Sequence, residues 1–294
     1  MKRQSFGAVM ALWVAASGVF ASGSASADQP AAEPLPPAGV LAIGGDMTEI
    51  VYALDQGHRL LARDSTSTWP EAARALPDVG YMRALSPEAV LSVGPSLILS
   101  AEGAGPPETL DVLRAADIDF VEVTGGFDGA AIAAKIHTIG DALGVPGKAE
   151  TLAQEVTTAL AAAKARADAN PDPRKRVLFV LSAAGGKLTV GGAETGADAV
   201  IRLAGGVNAA EGFDGYKQLS DEAAAVAAPD VILMMERGGD HGTTADVLFS
   251  LPALAITPAA DTRTLIKIDG LKLLGFGPRT AEAVTELNTL LYGG

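Results

Sequence analysis

Residues 85–99 read LSPEAVLSVGPSLIL, and residues 219–233 read LSDEAAAVAAPDVIL. Ser, Glu, Ala, Pro, Ile and Leu recur in register across the two copies. Each opens on a serine suited to cap a helix, with a glutamate in the turn that follows. Each closes, after a proline, on an apolar run of the length and composition of a buried strand. Common helix-turn-strand logic accounts for part of the likeness. The number of matches still argues for two lobes built on related units.

Working outward, the same alternation fills the chain. VLAIGG at 40–45 and DMTEIVYALD at 46–55 read as strand, glycine turn and helix, with Met47, Ile50, Val51 and Leu54 at helical spacing. RLLAR, PSLILSAE and IDFVEVTG read as further strands, and PPETLDVLRAA as a helix. Helical pattern then runs long, over 127–142 and again over 148–169, broken only at Val145, Pro146 and Gly147. Strands RVLFVLS and DVILMM, a helix through ADAVIRLAG and a last helix over 278–291 follow. The expected fold is α/β: two Rossmann-like α/β lobes joined by one long helix, with a ligand cleft between the lobes at the strand C-termini. The amino-terminal lobe is expected over 40–145, the interlobe helix over 146–170 and the carboxy-terminal lobe over 171–294.

The first residues read as an export signal. Lys2 and Arg3 precede an apolar stretch from Phe6 to Phe20, and Ala25, Ser26 and Ala27 form a small-x-small cleavage pattern. Cleavage after Ala27 leaves a Pro- and Ala-rich flexible lead to residue 39. Ser17 and Gly18 interrupt the apolar run and argue against a membrane anchor. With no cysteine there is no disulfide framework and no lipid-modified cysteine, so the expected product is a periplasmic monomer released from the membrane. Hydrophobic residues make up 48% of the chain, which excludes a disordered polypeptide. The net charge of -13 disfavours a broad nucleic-acid surface.

Candidate chemistry concentrates in GYMRALS at 80–86. Tyr81 and Arg83 stand two apart, so an extended backbone would point them to one side. Tyrosinate is a known axial ligand of haem iron, and a neighbouring guanidinium favours the phenolate. Taken alone, the pair reads first as a half-buried tyrosine beside a surface arginine, and only its context favours the ligand reading. Of the three histidines, His241 in ERGGDHG is a metal-ligand candidate by loop position only, while His58 and His137 read as surface or helix-packing residues. The chain has no cysteine nucleophile, no GxSxG elbow and no HExxH, so no enzyme is expected.

Two stretches, LPDVGYMRALSPEAVLSVGPSLILSAEGAGPPETLDVLRAA and AAGGKLTVGGAETGADAVIRLAGGVNAAEGFDGYKQLSDEAAAVAAPDVILMM, resemble the two lobes of periplasmic haem-binding proteins of bacterial haem ABC importers. The resemblance extends from about Leu41 to Leu291. It implies the helical-backbone periplasmic binding protein fold, haem as the transported ligand, Tyr81 as its iron ligand and Arg83 as that tyrosine's partner. It also implies that Glu88 and Glu222, equivalent in the repeated segment, dock the two subunits of a membrane-embedded permease dimer. A second-lobe histidine used by some members has no counterpart around 182–187. The related alternatives are a ferric siderophore or corrinoid binding protein; a noncatalytic structural protein of the periplasm is the alternative of another class.

Overall fold

The computed structural model describes residues 39–236 and 243–293. The expected signal peptide and most of the lead lie outside them, as does His241. Strand β1 (Val40–Ile43) leads into α1 (Gly45–Ala53) and β2 (Leu60–Arg63). A long loop reaches α2 (Pro87–Ser92), then β3 (Leu97–Ala101), α3 (Pro107–Ala115) and β4 (Asp119–Val123). Two helices, α4 (Gly129–Ala142) and α5 (Pro146–Asp168), precede the second sheet. There follow β5 (Arg176–Ser182), β6 (Leu188–Gly191), α6 (Gly196–Leu203), β7 (Val207–Asn208), β8 (Tyr216–Leu219), α7 (Asp221–Ala227) and β9 (Val231–Glu236). The chain closes with α8 (Ala245–Phe249), α9 (Pro252–Ala255), α10 (Pro258–Thr262), β10 (Leu265–Asp269), α11 (Gly270–Leu274) and α12 (Thr280–Tyr292).

The first sheet has the order β2-β1-β3-β4 and is parallel throughout. The second has the order β10-β9-β5-β6-β8, with β7 beside β5. Its β10, β9 and β5 are parallel, and β6 runs antiparallel to both of its neighbours, β5 and β8. The repeated segment appears as α2-β3 in one lobe and α7-β9 in the other. Both helices are capped alike: Ser86 Oγ accepts from Ala89 N at 3.2 Å, and Ser220 Oγ from Ala223 N at 3.2 Å.

The two sheets share a core. One buried cluster runs from Val40, Met47 and Ile50 through Ile132 and Ile136 of α4 to Phe179, Val200 and Val284. Helix α5, 23 residues and about 34 Å long, contributes Ala149, Ala153, Val156, Leu160, Ala163 and Ala167 at alternating spacings of four and three. Alanine on this stripe lets neighbours come close. A Cβ built on Gly140 of α4 would lie 2.2 Å from that of Ala149, so only glycine permits this approach. The opposite face of each sheet has its own core, around Val90, Ile98 and Leu113 in the first lobe and around Ile232, Leu248 and Leu254 in the second.

Charged groups seat the second lobe on the first. Lys135 of α4, nearly buried, pairs with Asp46 of α1 and donates to the carbonyls of Gly275 (3.3 Å) and Phe276 (3.2 Å). Phe276 also meets Phe127 edge to face, centroids 5.1 Å apart. Arg279 grips the carboxylate of Glu49 through Nη2 at 2.9 Å and Nε at 3.1 Å, and its guanidinium lies 4.6 Å above the Trp69 ring. Burial pushes the Glu49 carboxyl above its ordinary range, although Arg279 pulls it back.

Candidate ligand cleft

The β2–α2 loop is built around one carboxylate. Asp64 is fully buried, and Oδ1 accepts from Gly44 N (3.0 Å) and Ser67 Oγ (2.8 Å), while Oδ2 accepts from Thr66 N (2.9 Å) and Thr66 Oγ1 (2.7 Å). Four donors match the acceptor capacity of an aspartate, which is what a buried carboxylate requires. Thr66 Oγ1 accepts in turn from Gly45 N at 2.9 Å, tying the loop to the start of α1.

The far end of the loop is held just as tightly. Ser65 N donates to Gly80 O at 2.9 Å, and Gly80 N to Asp78 Oδ1 at 2.8 Å. Asp78 Oδ2 pairs with Arg63 at 3.0 Å. Both peptide groups of Gly80 are therefore fixed, at a φ of 103 that favours glycine. Tyr81 emerges directly from this anchor. Its ring is 47% exposed, in a loop whose backbone leaves it little freedom.

Residues 81–84 form a turn, closed by Ala84 N donating to Tyr81 O at 2.8 Å. The expected extended stretch is thus absent, and alternation along a strand does not align Tyr81 with Arg83. The turn forms because Leu85 and Met82 are drawn inward: Leu85 N donates to Gly105 O, and Gly105 N to Met82 O, each at 2.9 Å. Arg83 is left exposed on the turn, and its charge acts on Tyr216 of the other lobe.

Tyr216 begins β8, the edge strand of the second sheet, and is 42% exposed. Its ring packs edge to face on Phe179, centroids 6.3 Å apart. Burial raises the phenol above its ordinary pKa; the Thr195 hydroxyl, the Arg83 guanidinium and the Ala197 amide all oppose that rise. Thr195 caps α6, accepting from Asp198 N at 3.1 Å. The phenol oxygen therefore sits at a helix N-terminus, where negative charge is favoured.

Tyr216 was not among the residues singled out from sequence, although a signal existed. GYMRALS at 80–86 and GYKQLS at 215–220 both place Gly-Tyr shortly before Leu-Ser. One residue fewer separates the second pair, so the echo falls out of register just before Leu219. His58 is exposed, and His137 lies on α4 with Nε2 3.7 Å from Glu150, in keeping with surface and helix-packing positions. Glu88 and Glu222 are exposed in the first turns of α2 and α7, seven residues after Tyr81 and six after Tyr216.

Residues 40–270 match the family described as periplasmic binding protein. Among solved structures, the chain is similar to the periplasmic haem-binding protein RhuT from Roseiflexus sp. RS-1 in apo form. Identity is 38%, coverage is 87% of this chain and 98% of that one, and the TM-score is 0.83. It is similar also to the periplasmic haem-binding protein BhuT in complex with two haems, with 39% identity, coverage of 86% and 97%, and a TM-score of 0.81. Among curated proteins, the vitamin B12-binding protein of Yersinia pestis (strain Pestoides F) is 34% identical over 79 residues, 27% of this chain and 28% of that protein.

Proposed function

Because the chain belongs to the periplasmic binding protein family, we propose that it captures ferric haem between its two lobes and delivers it to the permease of an ABC importer. The observation that carries this reading is the pair of half-exposed tyrosines, one per lobe, with Arg83 two residues after Tyr81 and its charge acting on Tyr216. They occur in a chain 38% identical, over most of its length, to a haem-binding protein. The role is binding and delivery in the periplasm, without catalysis.

Haem supplies the equatorial nitrogens around its iron and leaves axial positions open. A phenol with an ordinary pKa near 10 is a weak donor at neutral pH. Ferric iron and a nearby guanidinium both shift the balance toward phenolate, and tyrosinate is an axial ligand type for haem. Tyr81 takes the iron, Arg83 supports the phenolate, and Tyr216 forms the facing wall. Glu88 and Glu222 serve the second half of the task, one carboxylate per lobe offered to basic pockets on the two subunits of a permease dimer. Glu222 is held below its ordinary pKa by its own backbone amide and the Ser220 hydroxyl, so it stays charged for that contact.

The stretch similar to a vitamin B12-binding protein motivates a corrinoid as the second reading. Spectral titration of the mature protein with ferric haem and, separately, with cyanocobalamin decides between them. A saturable shift of the Soret band with one of the two ligands is expected for haem; saturable binding of cyanocobalamin alone would overturn the haem reading.

A further inference from the structure

The carboxy-terminal lobe bears an apolar strip that the ligand cleft does not use. Val226 on α7 is 83% exposed, Ile256 at the end of α9 72%, and Val247 on α8 56%. Helix α9 packs against both α7 and α8, which sets the three elements carrying these side chains side by side. Glu222 lies four residues before Val226 and therefore on the same face of α7. Asp221, Asp246 and Asp261 are exposed on α7, α8 and α10; among the described residues, Arg263 is paired with Asp246, and Arg176, which donates to the Ala227 carbonyl at the end of α7, is paired with Glu211.

An apolar centre with an acidic border is the anatomy of a protein-binding patch rather than of a solvated helix face. The other lobe differs at the equivalent place. Ser92 stands where the repeated segment has Val226, and its hydroxyl is engaged with the Ala89 carbonyl at 2.8 Å. The exposed apolar residues of α2 and α3, Leu91 and Val112, are less uncovered.

We propose that Val226, Ile256 and Val247 form the apolar part of the permease-docking surface around Glu222, which makes the carboxy-terminal lobe the more firmly held of the two. This rests on the delivery role proposed above. Charge selects the occupant. A second copy of this chain, joined through the same face, would bring two acidic borders together. An anionic bilayer would be repelled by a protein of net charge -13. A protein subunit with basic groups bordering an apolar patch satisfies both parts of the surface.

The test uses the mature, haem-loaded protein and the permease dimer of its own importer in nanodiscs, with binding kinetics followed at the surface. The double substitution Val226→Asn, Ile256→Asn is expected to weaken the complex on the order of tenfold or more, chiefly through faster dissociation. Haem affinity and thermal stability stay at wild-type values, because neither side chain is buried or near the cleft. Leu91→Asn, Val112→Asn is expected to have the smaller effect. Unchanged binding by the Val226→Asn, Ile256→Asn protein, while Glu222→Ala weakens it, overturns the strip and leaves delivery standing. No binding of the wild-type protein to the permease overturns delivery and strip together. Sedimentation showing a wild-type dimer that the double substitution dissolves assigns the strip to self-association and overturns its role in docking.

Discussion

The two lobes build their halves of the cleft by different means. The amino-terminal lobe presents Tyr81 from a loop tied near its start to the buried Asp64 carboxylate and, just before the tyrosine, to Asp78, on a sheet that is parallel throughout. The carboxy-terminal lobe presents Tyr216 from an edge strand, added to its parallel strands through the antiparallel β6. Tyr81 is positioned by backbone hydrogen bonds before any ligand arrives. Tyr216 owes its state to a contest between burial and three groups that favour its anion. A preorganised ligand loses less conformational freedom on binding, so the first lobe should dominate affinity and the second should tune it.

The sharpest test of that asymmetry is Tyr81→Phe, which removes the oxygen and keeps the ring. Ferric-haem affinity should fall on the order of 100-fold with loss of the phenolate charge-transfer band, whereas Tyr216→Phe should cost about tenfold or less. Equal losses in the two titrations would end the comparison as drawn. Next in size is Asp64→Asn. An amide cannot accept at both former oxygens, so buried donors lose partners and unfolding free energy should drop by about 2–3 kcal/mol. Denaturant unfolding measures that drop, and haem dissociation should accelerate in the same variant because the Tyr81 loop loosens.

The seam between the lobes gives a pH signature. Glu49 has a raised pKa in the fold, so its contribution to stability is complete below the ordinary carboxylate value. That contribution is lost as pH climbs through the raised one. Glu49→Gln should therefore flatten the fall in melting temperature across this window; an identical pH profile in the two proteins would refute the assignment. The smallest expected effect is that of Arg83→Ala on the apo protein. With the guanidinium gone, one of the influences lowering the Tyr216 pKa disappears, and ultraviolet titration should find that phenol ionising at still higher pH.

Local chemistry made much of this molecule legible in its amino-acid sequence. Apolar runs bounded by glycine or proline mark β1, β3, β5 and β9, and Pro146 opens α5 at the break between the two long helices. Ser86 and Ser220 cap their helices through contacts only three residues long. Such features are decided within a turn of chain, so the fold class and the helix-start settings of Glu88 and Glu222 could be read from spacing. The antiparallel β6–β8 pairing could not. Three of the four residues of YKQL are exposed and show no alternation, because an edge strand is specified by the partner it joins. The turn at Tyr81, the Gly44 contact that completes the shell of Asp64 and the action of the Arg83 charge on Tyr216 likewise required tertiary structure. Each depends on groups from 20 to more than 100 residues apart, and chain folding alone determines which of them meet.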